Sequence, residues 1–133
     1  NNNPELKIVF IDYIQKVIGD DSSQDMKGQV AAISGILTDI AVDMDIHVCN
    51  MAQLNRQGEE APRLSHLKES GRIEEDANYV FLIHRDLNQQ HSGMSDSEAY
   101  IGVAKNRSGK TGNIQIRYNG ETTRFYDQPA VQM

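Results

Sequence analysis

Hydrophobic positions in the first half of the chain form two short continuous runs and one segment of helical spacing. The run Ile8–Ile11 is followed directly by Asp12, and a second run, in residues 46–53, ends on Gln53. Between them, apolar residues recur every three or four positions within residues 26–44. Short apolar runs are typical of buried strands, and this spacing is typical of an amphipathic helix. The pattern therefore predicts a strand, a helix and a second strand, in that order.

The second half of the chain is predicted to be rich in strands. A short helix is expected within residues 64–77, and apolar runs at 78–86 and 99–107 predict two further strands. Residues 112–127 alternate between apolar and polar types and carry Asn-Gly at 119–120, which is typical of a β-hairpin. Apolar strands joined by crossovers indicate an α/β fold with a mostly parallel sheet, to which the C-terminal hairpin adds antiparallel strands.

Two polar side chains directly follow predicted strands, Asp12 after the first and Gln53 after the second. In a parallel α/β sheet, ligands bind beyond the carboxyl ends of the strands. An unpaired charge is also costly to bury. We therefore expect Asp12 to lie at the edge of the sheet, where it serves a binding site, rather than in the core.

The composition bounds the function without identifying it. The chain has 133 residues, enough for one compact domain, and its net charge of −6 argues against coating nucleic acid by bulk electrostatics. Any contact with nucleic acid must therefore come from a few specifically positioned side chains or backbone groups. Cys49 is the only cysteine, which excludes an internal disulfide and a cysteine zinc site and fits a reducing cytoplasm. No apolar run approaches the roughly 20 residues that span a membrane, so no membrane partner is expected.

One segment, AKNRSGKT at 104–111, nearly matches the phosphate-binding loop G-x-x-x-x-G-K-[ST], with Ala104 in place of the first glycine. That loop needs a helix after it, because the helix N-terminus holds the phosphates. Here Ile114 and Ile116 alternate with polar residues, which predicts a strand. We interpret the segment as a tight turn between two strands.

The same segment carries two cations, Lys105 and Arg107, two positions apart at the end of a predicted strand. If extended geometry continues through Arg107, both side chains leave from one face. Such a pair either clamps an anion or is simply solvated, and the residues alone leave both interpretations open.

Four sequence segments, taken in order, carry a wider pattern: VFIDYIQ (9–15), AQLNR (52–56), LKESGRIEEDANYVFLIHRD (67–86) and KNRSGKTG (105–112). Their order and spacing closely resemble the C-terminal motor domain of the DnaB-type replicative DNA helicases, over nearly the whole chain. The resemblance implies a RecA-like P-loop NTPase core that works as a ring-shaped homo-hexamer in the cytoplasm. It also implies that ATP binds between neighbouring subunits and that hydrolysis drives movement along single-stranded DNA and duplex unwinding.

The resemblance assigns roles at the implied ATP site to four positions. Asp12 resembles the Walker B aspartate that holds Mg²⁺, and Gln53 resembles the glutamine that senses the γ-phosphate. Lys105 and Arg107 resemble the basic pair that reaches the neighbouring subunit's nucleotide, with Arg107 as the arginine finger. A permanently charged guanidinium suits the charge that phosphoryl transfer spreads over the γ-oxygens. Asp12 and Gln53 are thus the expected nucleotide-binding residues, and Gln53, Lys105 and Arg107 the expected catalytic ones.

The segment KESG is similar to the family loop that lines the ring channel and holds DNA phosphates, which makes Lys68, Glu69, Ser70 and Gly71 the expected DNA-binding residues. Lys68 offers charge, although the family more often has arginine there, and Gly71 permits a close backbone approach. Copies of this loop converge in a ring, so an acidic net charge does not oppose DNA binding. The alternative interpretation is a solvated first turn of a helix.

In this family the phosphate loop and the catalytic glutamate precede the strand that carries the Walker B aspartate. Only a few residues precede that strand here, so we expect residues 1–133 to be one partial domain, the C-terminal part of a motor, and to be inactive alone. Absent strands would also leave apolar edge surface open, which favours self-association. Primase and a helicase loader are further partners that the resemblance suggests.

Two other functions stay open. One is a non-catalytic RecA-like interaction module that binds a helicase or DNA, and the other is a different RecA-type ATPase, such as a recombinase. The KESG…IEEDA segment and the Lys105/Arg107 pair weigh against a recombinase, because both follow the DnaB pattern.

Overall fold

The computed structural model describes residues 3–17, 26–54, 62–67, 71–85 and 96–127. Within these ranges the chain forms α-helices, strands and two 3₁₀ turns, Ile14–Lys16 and Leu64–Leu67. The helices and strands are β1 (Ile8–Ile11), α1 (Met26–Asp43), β2 (His47–Asn50), α2 (Gly71–Asp76), β3 (Tyr79–Arg85), β4 (Asp96–Asn106), β5 (Gly112–Asn119) and β6 (Arg124–Asp127). The chain divides into two compact units, the first built on β1, α1, β2 and α2 and the second on β3 to β6. The expectation of a single partial domain stays a prediction.

The first unit contains a parallel strand pair, β1 with β2, joined through α1. A crossover of this kind is what a parallel connection requires. The chain leaves α1 through Asp45, which has a left-handed φ of 51°, and the Ile46 N–H donates to the Ala41 carbonyl at 3.1 Å. This ending satisfies one of the last carbonyls of the helix and turns the chain into β2. Ile14 and Val30 are the largest fully buried side chains of the unit.

The second unit is a four-stranded antiparallel sheet in the order β3-β4-β5-β6. Exposure alternates along β3: Val80 and Leu82 are buried, whereas Tyr79, Phe81 and Ile83 are 50%, 60% and 58% exposed. The rings of Tyr79 and Phe81 stack with their centroids 6.5 Å apart. β3 therefore carries open apolar surface. The surface that the sequence predicts to be open lies instead beside the strand that leads to Asp12, where Ile8 and Phe10 of β1 are 45% and 62% exposed. Self-association through that surface stays a prediction.

The elements predicted from the sequence are present. The helical spacing corresponds to α1, the apolar runs to β1, β2, β3 and β4, and the alternating C-terminal segment to the hairpin of β5 and β6. The hairpin closes through residues 120–123 rather than through Asn-Gly alone, because Asn119 pairs with Arg124. Neither α1 nor α2, the helices of the described ranges, is long and apolar enough to cross a membrane.

The α/β class is confirmed, but the antiparallel share of the sheet is larger than expected. β1 and β2 are parallel, whereas the pairs β3–β4, β4–β5 and β5–β6 are all antiparallel. The connection between β3 and β4 explains this, because residues 86–95 number ten and a parallel crossover needs roughly a dozen or more. Apolar content indicates that a strand is buried, but it does not indicate which way the strand runs.

Candidate functional site

The pairing of β1 with β2 brings two predicted site residues to one edge of the first unit. Because the strands are parallel, their carboxyl ends meet at the same edge, and Asp12 and Gln53 follow those ends. The backbone of Met51 continues the ladder beyond the strands. Its N–H donates to the Ile11 carbonyl and its carbonyl accepts from the Ile14 N–H, both at 2.9 Å. These two bonds bracket Asp12 and fix the backbone from which its side chain projects.

The Asp12 carboxylate is exposed at this edge, as the sequence predicts, and so is the Gln53 side chain. Magnesium takes oxygen ligands, keeps several waters and is often held by one or two carboxylates plus substrate phosphates. Within the described ranges, no group of three or more His, Cys, Asp or Glu side chains is placed to hold a metal. An exposed carboxylate at the same edge as a neutral amide fits a hydrated Mg²⁺ that arrives with a phosphate ligand. The amide can donate to phosphate and accept from backbone.

The predicted basic pair lies in the second unit, at the end of β4. Lys105 is half-buried and pairs with Val80 of β3, whereas the Arg107 side chain is exposed. The Arg107 N–H donates to the Asn78 carbonyl at 3.0 Å, which extends the β3–β4 ladder beyond the strand ends. The backbone of Arg107 is therefore fixed while the residue as a whole is exposed. Strand β5 follows, so the prediction of a turn between two strands is confirmed, and the turn itself is residues 107–111.

Asn106 braces this turn, a role the sequence reasoning missed. Its Oδ1 accepts from the Ser108 N–H at 3.1 Å, and its Nδ2 donates to the Lys110 carbonyl at 3.1 Å. One side-chain amide thus holds the backbone at two positions of the turn, Ser108 and Lys110. Asparagine often forms turns, because its side chain can bond the backbone two residues on. Asparagine at the first and glycine at the fourth position is typical of a β-turn, so the spacing of Asn106 and Gly109 was the signal in the sequence.

A second network, also missed, joins α1 to α2 within the first unit. The Asp76 carboxylate accepts from the Ser34 hydroxyl at 2.9 Å and from the Arg72 Nε at 3.1 Å, and its side chain is only 13% exposed. The Arg72–Asp76 spacing of four residues is visible in the sequence, but Ser34 lies 42 positions away from Asp76. The network holds α2 in place.

The structure describes only part of the predicted DNA loop. Gly71 is the first residue of α2. The other three residues of the loop, Lys68, Glu69 and Ser70, lie outside the described residues.

Asp76→Ala is expected to lower the free energy of unfolding by about 1–3 kcal/mol, because it removes the carboxylate that accepts from both the Ser34 hydroxyl and the Arg72 Nε. Urea unfolding followed by circular dichroism measures the change. Glu75→Ala is the matched control, since that carboxylate is 72% exposed and 3.8 Å from Arg72. It should change stability by less than about 0.5 kcal/mol. Equal losses in the two variants would contradict the network.

A family model described as "DnaB-like helicase C terminal domain" matches residues 1–127. The replicative DNA helicase DnaB of Treponema pallidum is 33% identical over 122 residues, which cover 91% of this chain and 26% of that protein. The corresponding helicase of Leifsonia xyli is 33% identical over 130 residues, which cover 95% of this chain and 28% of that protein. The chain thus spans between a quarter and a third of the length of these relatives.

Two solved structures share the fold. The first, an ATPase domain, superposes with a TM-score of 0.82 at 29% identity, over 96% of this chain and 46% of that one. The second, a DnaB-like replicative helicase described together with its interactions with primase, superposes with a TM-score of 0.80 at 29% identity, over 96% of this chain and 32% of that one. The RecA-like fold expected from the sequence is therefore confirmed.

Proposed function

Because the chain belongs to the family of DnaB-like helicase C-terminal domains, we propose that it forms part of the ATP-driven motor of a hexameric replicative DNA helicase in the cytoplasm. The motor couples ATP hydrolysis to movement along single-stranded DNA and to duplex unwinding. The observation that carries this proposal is the shared edge of β1 and β2, from which Asp12 and Gln53 follow paired parallel strands. A nucleotide site needs polar groups beyond the carboxyl ends of such strands.

At that edge, Asp12 holds Mg²⁺ of the Mg²⁺–ATP substrate and Gln53 contacts the γ-phosphate. When bound, the ion would supply positive charge against the negative charge that develops on the phosphate oxygens during phosphoryl transfer. The exposure of the Asp12 carboxylate supports this role, because an ion that keeps part of its water shell needs an open site. A neutral amide at position 53 contacts phosphate without adding negative charge beside it.

Arg107 is the arginine finger and Lys105 its companion, and both act on the nucleotide held by a neighbouring subunit. The fixed backbone and the exposure of Arg107 support this role, since a group that acts on another subunit must project from a rigid base at the surface. The planar guanidinium has several donors in a fixed fork and remains charged at all physiological pH values. It therefore stabilises charge on the γ-oxygens without a change of its own protonation state.

The DNA-binding loop is Lys68, Glu69, Ser70 and Gly71, and it holds the phosphates of a single strand. A Cβ built on Gly71 would meet no heavy atom of the described residues within 4 Å, so the fold leaves this backbone open to a ligand. Backbone N–H groups bind phosphate without reading sequence, as a translocating motor requires. Primase and a helicase loader are the protein partners we propose for the assembled ring.

The test uses the full-length gene product. It should hydrolyse ATP in a Mg²⁺-dependent reaction that single-stranded DNA accelerates, and it should unwind a forked duplex only when ATP is hydrolysed. A product that binds DNA or a helicase without hydrolysis would instead support the non-catalytic interaction module. Hydrolysis with strand exchange but without unwinding would support a recombinase.

Lys68→Glu should weaken binding to single-stranded DNA, because it removes a cation from the phosphate path. The slope of log affinity against log salt concentration should also shrink by roughly one unit. Fluorescence anisotropy of a labelled oligonucleotide across a salt series measures both quantities. Lys27→Glu makes the same charge change at an exposed position of α1 and is the control. If Lys68→Glu kept the parental affinity and slope, the loop would not be part of the DNA site.

A further inference from the structure

We propose that Asn106 is a positioning residue for Arg107: its side-chain amide holds the β4–β5 turn in the shape that presents the guanidinium to the neighbouring nucleotide. This inference rests on the proposed function, in which Arg107 is the finger. Asn106 itself touches no substrate in this proposal. It acts through the backbone of the turn that follows the finger, at Ser108 and Lys110.

Three hydrogen bonds fix the backbone around Arg107. The Arg107 N–H is bound to the Asn78 carbonyl at 3.0 Å, which secures the strand side. On the other side, Asn106 Oδ1 holds the Ser108 N–H and Asn106 Nδ2 holds the Lys110 carbonyl, each at 3.1 Å. Only the first of these bonds belongs to the sheet ladder. The other two both depend on the Asn106 side chain, so a substitution of that one residue removes both of them.

Gly109 gives an independent way to disturb the same amide. A Cβ at this position would lie 3.0 Å from Asn106 Nδ2 and 3.5 Å from its Cγ. The first distance is shorter than ordinary van der Waals contact, so an alanine at 109 must displace the end of the Asn106 side chain. Gly109 contributes no side chain of its own to chemistry. An effect of Gly109→Ala on hydrolysis would therefore be transmitted through the turn.

The placement of the network separates a positioning role from a role in folding. Residues 107 to 111 are exposed, so the two amide bonds bury no core surface and their loss should leave the sheet intact. Catalysis is far more sensitive to geometry, since a misplacement of about 1 Å can cost roughly 10²-fold in rate. We therefore expect Asn106→Ala to lower kcat on the order of 10²-fold, while nucleotide affinity stays within about twofold of the parent and the melting temperature falls by less than about 5 °C.

Two further variants and a matched control complete the design. Asn106→Asp keeps an acceptor for the Ser108 N–H but loses the donor to the Lys110 carbonyl and sets a carboxylate oxygen against it, so its kcat should also fall below the parental value. Gly109→Ala should lower kcat in the same direction. Asn119→Ala is the control, because Asn119 also braces a turn: in the β5–β6 turn its Oδ1 accepts from the Thr122 N–H at 2.8 Å and from the Thr122 hydroxyl at 2.9 Å. It should leave kcat at the parental value.

The deciding measurement is a double-mutant cycle on the full-length gene product, with single-turnover ATP hydrolysis, binding of a fluorescent nucleotide and thermal unfolding recorded for each variant. If Asn106 acts through Arg107, then Asn106→Ala should have no further effect in the Arg107→Ala background. A parental kcat for Asn106→Ala, or the same loss in both backgrounds, would overturn the positioning role and leave the finger in place. A parental rate for Arg107→Ala alone would refute the finger, and the positioning role with it. Should Asn106→Ala fail to fold, Asn106→Asp and Gly109→Ala decide by the same criteria.

Discussion

Replacing Arg107 with alanine is expected to lower the rate of ATP hydrolysis by a factor on the order of 10³ to 10⁵, with little change in nucleotide binding. The transferred phosphoryl group carries its charge on three equatorial oxygens, and the guanidinium stabilises that charge most strongly in the transition state. Loss of the finger should therefore appear in kcat rather than in affinity. Single-turnover hydrolysis and equilibrium binding of a fluorescent nucleotide separate the two.

Two controls make the result specific to the guanidinium. Arg107→Lys keeps the charge but loses the planar fork, so it should recover only part of the rate. Arg124→Ala removes an exposed arginine from β6 and should leave hydrolysis unchanged. Size-exclusion chromatography must show that Arg107→Ala has the same oligomeric state as the parent. A hexameric Arg107→Ala that hydrolyses ATP at the parental rate would exclude Arg107 as the finger.

The sequence predicts the strand ends well, because each end is marked by the change from apolar to polar residues along a few positions of the chain. Asp12 directly follows the apolar residues of β1, and a charge in that position has to leave the core. Gln53 comes three residues after β2 and shares the edge because the β1–α1–β2 crossover makes the strands parallel. The exposed side chain of Arg107 follows for a similar reason, since the polar turn begins where the apolar pattern of β4 stops. The predictions for Asp12 and Arg107 needed only the residues on either side, whereas the one for Gln53 also needed the order of strand, helix and strand.

The sequence predicts long-range pairing and turn chemistry less well. The contact between Ser34 and Asp76 joins positions 42 residues apart, and neither residue is unusual in its own helix. The antiparallel direction of β4 follows from the length of the connection before it, which apolar content does not encode. The charges of Lys105 and Arg107 indicate a candidate site in the sequence itself, whereas the role of Asn106 between them depends on the conformation of the turn. Its two bonds to backbone become visible only when the turn is seen in three dimensions.

Asp12→Asn should lower the rate of hydrolysis by about 10² to 10⁴-fold, because a metal-ion contact is worth several kcal/mol of charge stabilisation in the transition state. The amide keeps the size of the side chain but loses the negative charge that holds the cation. Nucleotide binding measured across a Mg²⁺ titration should show a weaker apparent affinity for the ion, which gives a readout independent of turnover. Asp43→Asn, at the exposed end of α1, is the control and should change neither quantity.

The choice of asparagine separates the two roles that a strand-end aspartate can have. If Asp12 only shaped the turn that follows β1, asparagine would replace it well, because both side chains bond nearby backbone N–H groups. A metal ligand tolerates the change poorly, since Mg²⁺ strongly prefers charged oxygen donors. Parental hydrolysis and an unchanged Mg²⁺ dependence in Asp12→Asn would therefore assign Asp12 to the turn. A large loss at unchanged thermal stability assigns it to the ion, and with it the edge of β1 and β2 to the nucleotide.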